Sequence, residues 1–329
     1  MTTEEPVAEP PPLAAPPGRA RRPLLRAAVL VCLFAVAAVA LARRWPEVRP
    51  VLADLSPLNI VLAMVSILAG LCCSFLGWRA ILTDYGSRLP VAGGLRIFFL
   101  GQLGKYVPGS IWPAVAQMEL AQDYKVPRRV SAAAMSIFML VVLGTGLLVA
   151  VVSLPLLGSA ALHRFWWTLA ALPVAVAVLY PPVLNRLVGQ ALRLAGREPL
   201  PLPLSLPGVA RAAGWSLATW GLWGLHLWAL AVGVGAGGAS LLWRTTGAFA
   251  AAWTLGFVLV LVPAGAVVRE AALIVLLQPA LTAGQATVVA LASRLLLTVG
   301  DLGWGLVALL ADRRRRGPGW TPGAGHRGS

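Results

Sequence analysis

Polar and apolar positions fall into long blocks rather than short alternations. After a polar, proline-rich start, apolar runs occupy about Ala27 to Ala42, then 57–78, 130–153, 165–182, 209–235 and 285–311. Runs of this kind suit helices that cross roughly 30 Å of hydrocarbon. Two more stretches, 97–118 and 246–281, are hydrophobic but broken by glycine, proline and charge. The pattern predicts an all-α polytopic membrane protein of about six full transmembrane helices plus two broken re-entrant hairpins. Ala40-Leu41-Ala42 also resembles a signal cleavage site, but the long leader and the later apolar runs favour an uncleaved first span.

Composition agrees. Of 329 residues 58% are hydrophobic and 12% charged, and the mean hydropathy is +0.79, too few charges to cover a water-soluble fold of this size. The three cysteines (Cys32, Cys72, Cys73) sit in apolar runs without metal-ligand or disulfide spacing. The net charge of +15 is almost all arginine, with Lys105 and Lys125 the only lysines. These bases gather at the ends of apolar runs, which points to anionic lipid head groups rather than nucleic acid.

Three segments follow: a basic, Pro-rich tail over 1–25, a transmembrane domain over 26–311, and a basic tail over 312–329. Arginine distribution places both termini in the cytoplasm of a multi-pass protein of the cytoplasmic membrane. Basic residues are dense in 79–129 and 183–208 and sparse in 154–164 and 236–245. The link 43–56, with Arg43, Arg44 and Arg49, goes against that bias.

The broken stretches look alike. The first reads Leu100-Gly101-Gln102-Leu103-Gly104-Lys105-Tyr106-Val107-Pro108-Gly109; the second runs from Leu255-Gly256 through Val262-Pro263 to Arg269-Glu270. Gly101 precedes Pro108 by the interval at which Gly256 precedes Pro263. Interrupted segments in matching places of two inverted-topology halves, here about 26–153 and 165–311, point to a transporter's binding site. The breaks are tolerable at membrane depth only where protein or water satisfies the freed backbone.

Gly104 to Trp112, G-K-Y-V-P-G-S-I-W, resembles the signature of the membrane region of lysylphosphatidylglycerol synthases, and Pro263, Gly265, Arg269 and Glu270, followed by Arg294, resemble its second motif. Ala264 and Val267 stand where the family usually has glycine. The resemblance covers roughly residues 24–311 and implies a flippase-like region that moves an aminoacylated or glycosylated lipid between leaflets. The soluble aminoacyl-transferase domain of full-length synthases is not expected in the 17 residues after Asp312, so this is read as the stand-alone form.

The candidate head-group residues are Lys105, Tyr106, Pro108, Gly109, Glu119, Pro263, Gly265, Arg269, Glu270 and Arg294. Lys105 suits a lipid phosphate and Tyr106 a hydrogen bond to the head group, the alternative being a lysine that snorkels to the interface. Glu119 is either a head-group acceptor or an interfacial carboxylate. Adjacent helical residues diverge by roughly 100°, so Arg269 and Glu270 do not face each other and one of them meets a partner such as Arg294 or Asp301. Arg294 and Asp301 share a face of the last span, which also allows an internal salt bridge or a contact to the second hairpin. His226, among tryptophans, reads as a hydrogen-bonded structural residue. No cofactor, metal or nucleophile–base pair is expected, and an enzyme using Glu119 or Glu270 ranks last. The partners expected are membrane lipids and, as the alternative function, a separate lipid-modifying transferase docked on a non-transporting subunit.

Overall fold

The computed structural model describes residues 55–106, 112–153, 170–258 apart from Ala195, Pro199 and Pro201, and 265–316, with Val39 as an isolated position. The expected first span, both expected hairpin tips (Pro108 with Gly109, and Pro263) and most of the two tails lie outside the described residues. Every regular element described is a helix.

Helix α1 (Pro57–Asp84) starts with proline at a position whose amide would have no helical partner anyway, and stops before Gly86, which adopts a left-handed φ of 79°. A first broken unit follows. Its leading arm passes through α2 (Val91–Leu95), a π-helical turn (Arg96–Leu100) and a 3₁₀ turn (Leu103–Tyr106); its returning arm is α3 (Trp112–Gln122). Helix α4 (Arg128–Ser153) completes the first half.

The second half repeats the order. Helix α7 (Leu206–Gly233) is followed by a unit of two arms, α8 (Leu241–Val258) and α9 (Gly265–Leu277), and then by α10 (Ala283–Arg316). Between the halves lie α5 (Ala171–Leu179) and α6 (Pro181–Leu194).

Pro57–Asp84, Arg128–Ser153 and Ala283–Asp312 are long and apolar enough to cross a membrane. Helix α7 matches α1 in length at 28 residues, but glycine, serine, tryptophan and His226 dilute its apolar character. The expected span at 165–182 begins outside the described residues, and α5 covers most of its described part. That part bends at Tyr180, whose ψ is 117°, and a new helix begins at Pro181. A residue before proline is pushed out of helical geometry, so the run cannot continue as one helix. Beyond the bend α6 is amphipathic: Leu184 is buried, while Arg186 and Arg193 belong to its more exposed surface. Helix α10 continues to Arg316, and Asp312 is buried.

The two long helices α1 and α7 pack antiparallel. Asn59 lies beside Gly233, Gly70 beside Trp223 and Asp84 beside Gly208, so rising numbers in one match falling numbers in the other. Asp84 fastens one end, accepting from the Ser205 amide at 2.6 Å and the Ser205 hydroxyl at 2.7 Å, while the Ser205 Oγ accepts from the Gly208 amide as an N-cap.

Two aromatic groups fill the interior. Phe75, Trp78, Phe98, Phe99 and Phe138 join α1, the π-turn and α4, and Trp304 of α10 stacks on Phe99 with centroids 4.8 Å apart. Trp220, Trp223, Phe249 and Trp253 join α7 and α8. Edge-on and offset pairs of this kind add to plain burial, at about 0.5–1.5 kcal/mol each.

Candidate functional site

The leading arm of the first unit is drawn tightly onto its returning arm. A Cβ at Gly101 would stand 2.2 Å from Gln117 Cγ, and one at Gly104 would stand 2.6 Å from the backbone nitrogen of Pro113. Only glycine allows the two chains to run this close. The pairing of 101 with 117 and 104 with 113 makes the arms antiparallel, and the chain leaves the leading arm at Lys105 and Tyr106. Gln117 is fully buried, and its amide makes no hydrogen bond among the described residues.

Both units reach the same helix. Lys105 Nζ lies 2.6 Å from Asp301 Oδ2, and the Tyr106 hydroxyl donates to the same oxygen, also at 2.6 Å. Lys105 also stands 5.5 Å above the Tyr106 ring. From the second unit, Glu270 of α9 accepts from Arg294. Arg294 and Asp301 lie seven residues apart on α10, about 10 Å along its axis and on one face. Of the two readings of this face, the contact to the second unit forms, through Arg294 and Glu270, and an Arg294–Asp301 salt bridge does not; each residue binds a different unit.

Arg269 and Glu270 diverge as neighbouring helical residues must. Arg269 turns to the Phe249 ring, 5.7 Å from its centroid, and its Nε is enclosed without a hydrogen bond. It remains within electrostatic reach of Glu270, Arg294, Tyr106 and Asp301. Phe249 in turn meets the His226 ring edge-on, and His226 Nε2 is 2.9 Å from Ser293 Oγ. A compact polar group thus joins the first unit, α7, α8, α9 and α10.

Glu119 is not part of it. It sits on α3 toward the more exposed side and pairs with Arg128. Gly265 opens α9. An apolar groove lined by Leu172, Val176, Tyr180, Pro181 and Leu206 lies on α5–α7 and includes none of these charged residues.

A second polar cluster escaped the reading of the sequence. Arg96 NH1 is 2.9 Å from Asp123, Arg96 Nε is 3.3 Å from Asp312, and Tyr124 donates its hydroxyl to Asp312. The three charged side chains keep at most 11% of their exposure. This cluster ties the open end of the first unit to the far end of α10, eleven residues and about 16 Å beyond Asp301. The signal for it was an arginine and an aspartate at opposite ends of one broken apolar stretch.

Residues 24–305 match the family described as Lysylphosphatidylglycerol synthase TM region. No curated protein matches the chain. The match spans most of the chain and includes the whole polar group on α10. This is therefore a membrane protein that belongs to the lysylphosphatidylglycerol synthase TM region family.

Proposed function

We propose that the protein is a flippase-like carrier that binds a polar lipid head group between its two broken units and moves it across the cytoplasmic membrane. The carrying observation is the convergence of Lys105 and Tyr106 from one unit and Glu270 from the other on a single face of α10. Polar side chains in a mostly apolar setting offset the several kcal/mol that a head group loses on leaving water, while the tails stay in lipid.

On this reading the two units are re-entrant, and the halves are inverted repeats. The repeated helix order and the antiparallel pairing of α1 with α7 support that arrangement. Lys105, Tyr106, Arg269, Glu270 and Arg294 are the head-group residues. Glu119, paired with Arg128 on the arm, belongs to the interface instead. The chain acts as a carrier rather than an enzyme, its partners are membrane lipids, and both termini face the cytoplasm.

The test is leaflet-resolved. Proteoliposomes containing fluorescent-tailed phospholipid are exposed to a membrane-impermeant quencher, and the rate at which inner-leaflet lipid becomes accessible is measured. Faster exposure than in protein-free vesicles, abolished in the Lys105→Ala, Glu270→Ala double variant, is the expected result. Equal rates in loaded and empty vesicles would sink the proposal.

A further inference from the structure

We infer that the head group taken at this site is anionic, and that Arg269 anchors its phosphate. The inference rests on the carrier reading above and narrows its substrate class.

Charges of both signs gather around the meeting point of the two units and α10. Three cations stand there, Lys105, Arg269 and Arg294, with two carboxylates, Glu270 and Asp301. Arg294 neutralises Glu270, and Lys105 neutralises Asp301, which also accepts the Tyr106 hydroxyl. Arg269 is left over. It makes no ion pair among the described residues, and its Nε has no hydrogen-bond partner. The adjoining segments cannot supply a counter-ion, because 107–111 reads V-P-G-S-I and 259–264 reads L-V-L-V-P-A, without a charge in either.

Arg269 is only partly exposed and its enclosed Nε lacks a partner, so an anion that arrives gives its donors an acceptor and its charge a counter-ion. The planar donor fork matches two oxygens of a phosphate, and the Phe249 face holds its position without satisfying its donors. A cationic head group meets the opposite situation. It finds a site with a surplus positive charge and both carboxylates engaged, so it must break Lys105–Asp301 or Arg294–Glu270 to enter. The geometry therefore favours an anionic phosphodiester lipid over its aminoacylated, cationic counterpart.

The experiment compares phosphatidylglycerol, lysyl-phosphatidylglycerol and phosphatidylcholine, each with the same fluorescent tail, in phosphatidylcholine proteoliposomes. A parallel arm records the thermal shift of the detergent-solubilised protein with short-chain versions of the same three lipids. Phosphatidylglycerol is expected to move about tenfold faster than the lysyl ester and to give the largest thermal shift. Arg269→Gln is expected to remove both preferences, and Arg269→Lys to restore part of them. A lysyl ester that moves as fast as phosphatidylglycerol overturns the anion preference and leaves the carrier reading intact. A phosphatidylglycerol-specific thermal shift without movement of any lipid keeps the anion site and removes the carrier reading. Equal thermal shifts with all three lipids on the unmodified protein overturn the inference without reference to any variant.

Discussion

Tyr106 and Asp301, 195 positions apart in the chain, are joined by a 2.6 Å hydrogen bond in which the phenol donates to Oδ2. Lys105 comes to the same oxygen from its more exposed position, with 43% of its side chain accessible against 5% for Asp301. The carboxylate thus has two donors of unequal permanence. The phenol is held by its packing, whereas the ammonium has access to water. Removing the phenol hydroxyl in Tyr106→Phe keeps the ring and deletes one hydrogen bond to a charged acceptor, a loss of about 1.5–3 kcal/mol. Thermal unfolding in detergent should fall accordingly. An unchanged midpoint would show that Lys105 alone suffices for Asp301.

Arg96→Leu should be the more damaging substitution. It withdraws the positive charge from Asp123 and Asp312 together, both nearly enclosed. Breaking a buried pair from one side costs about 3–5 kcal/mol. The check is the yield of monodisperse protein and its unfolding midpoint. Arg96→Lys should rescue poorly, because two different nitrogens of the fork serve the two carboxylates.

Gly104→Val presses a side chain into the backbone of Pro113, 2.6 Å from where its Cβ must stand. Backbone cannot swing aside as a side-chain tip can, so the arms must separate, at about 1–3 kcal/mol or more. The expected outcome is a folded protein of lowered stability in which Lys105 no longer reaches Asp301. Leaflet-resolved lipid exchange reads the second effect, and a wild-type rate would mean the arms need not touch.

Asp84→Ala removes the acceptor of the Ser205 amide and hydroxyl at the start of α7. The Ser205 cap on the Gly208 amide stays, and losing the charged acceptor of the Ser205 groups costs about 1–3 kcal/mol. Calorimetry should show this modest loss. Lipid movement should persist, since neither residue belongs to the polar group on α10.

In a chain whose native cysteines are replaced by alanine, cysteine at Lys105 should react with a membrane-impermeant maleimide, while cysteine at the fully buried Leu103 should not. Reaction at neither position would mean that the arm is shielded along its length.

Much of this was legible in the sequence. Apolar runs mark α1, α4, α7 and α10 to within a few residues, because each is longer than any competing element and ends at a turn-forming or charged segment. The interruption near Gly101 and Gly104 was legible too, but its meaning was not. Glycine reads as conformational freedom in a sequence, whereas here it serves close approach to Gln117 and Pro113. The Tyr180–Pro181 elbow falls at the end of the apolar run, where proline keeps its predecessor out of helical geometry. Pairings among charged residues were the least legible. Arg294 and Asp301 share a helix face, yet each serves a partner from a different half, and only the packed structure reveals which.

The first broken unit is fastened to α10 at both ends by unlike joints. At its open end Arg96, Asp123, Asp312 and Tyr124 form a many-membered, water-poor knot; at its tip a single solvent-reached lysine and one phenol grip Asp301. Of the two joints, the one at Asp301 is the more open to water, because Lys105 keeps 43% of its side-chain exposure. Helix α10 therefore holds both ends of the unit on one rigid rod, about 16 Å apart between Asp301 and Asp312.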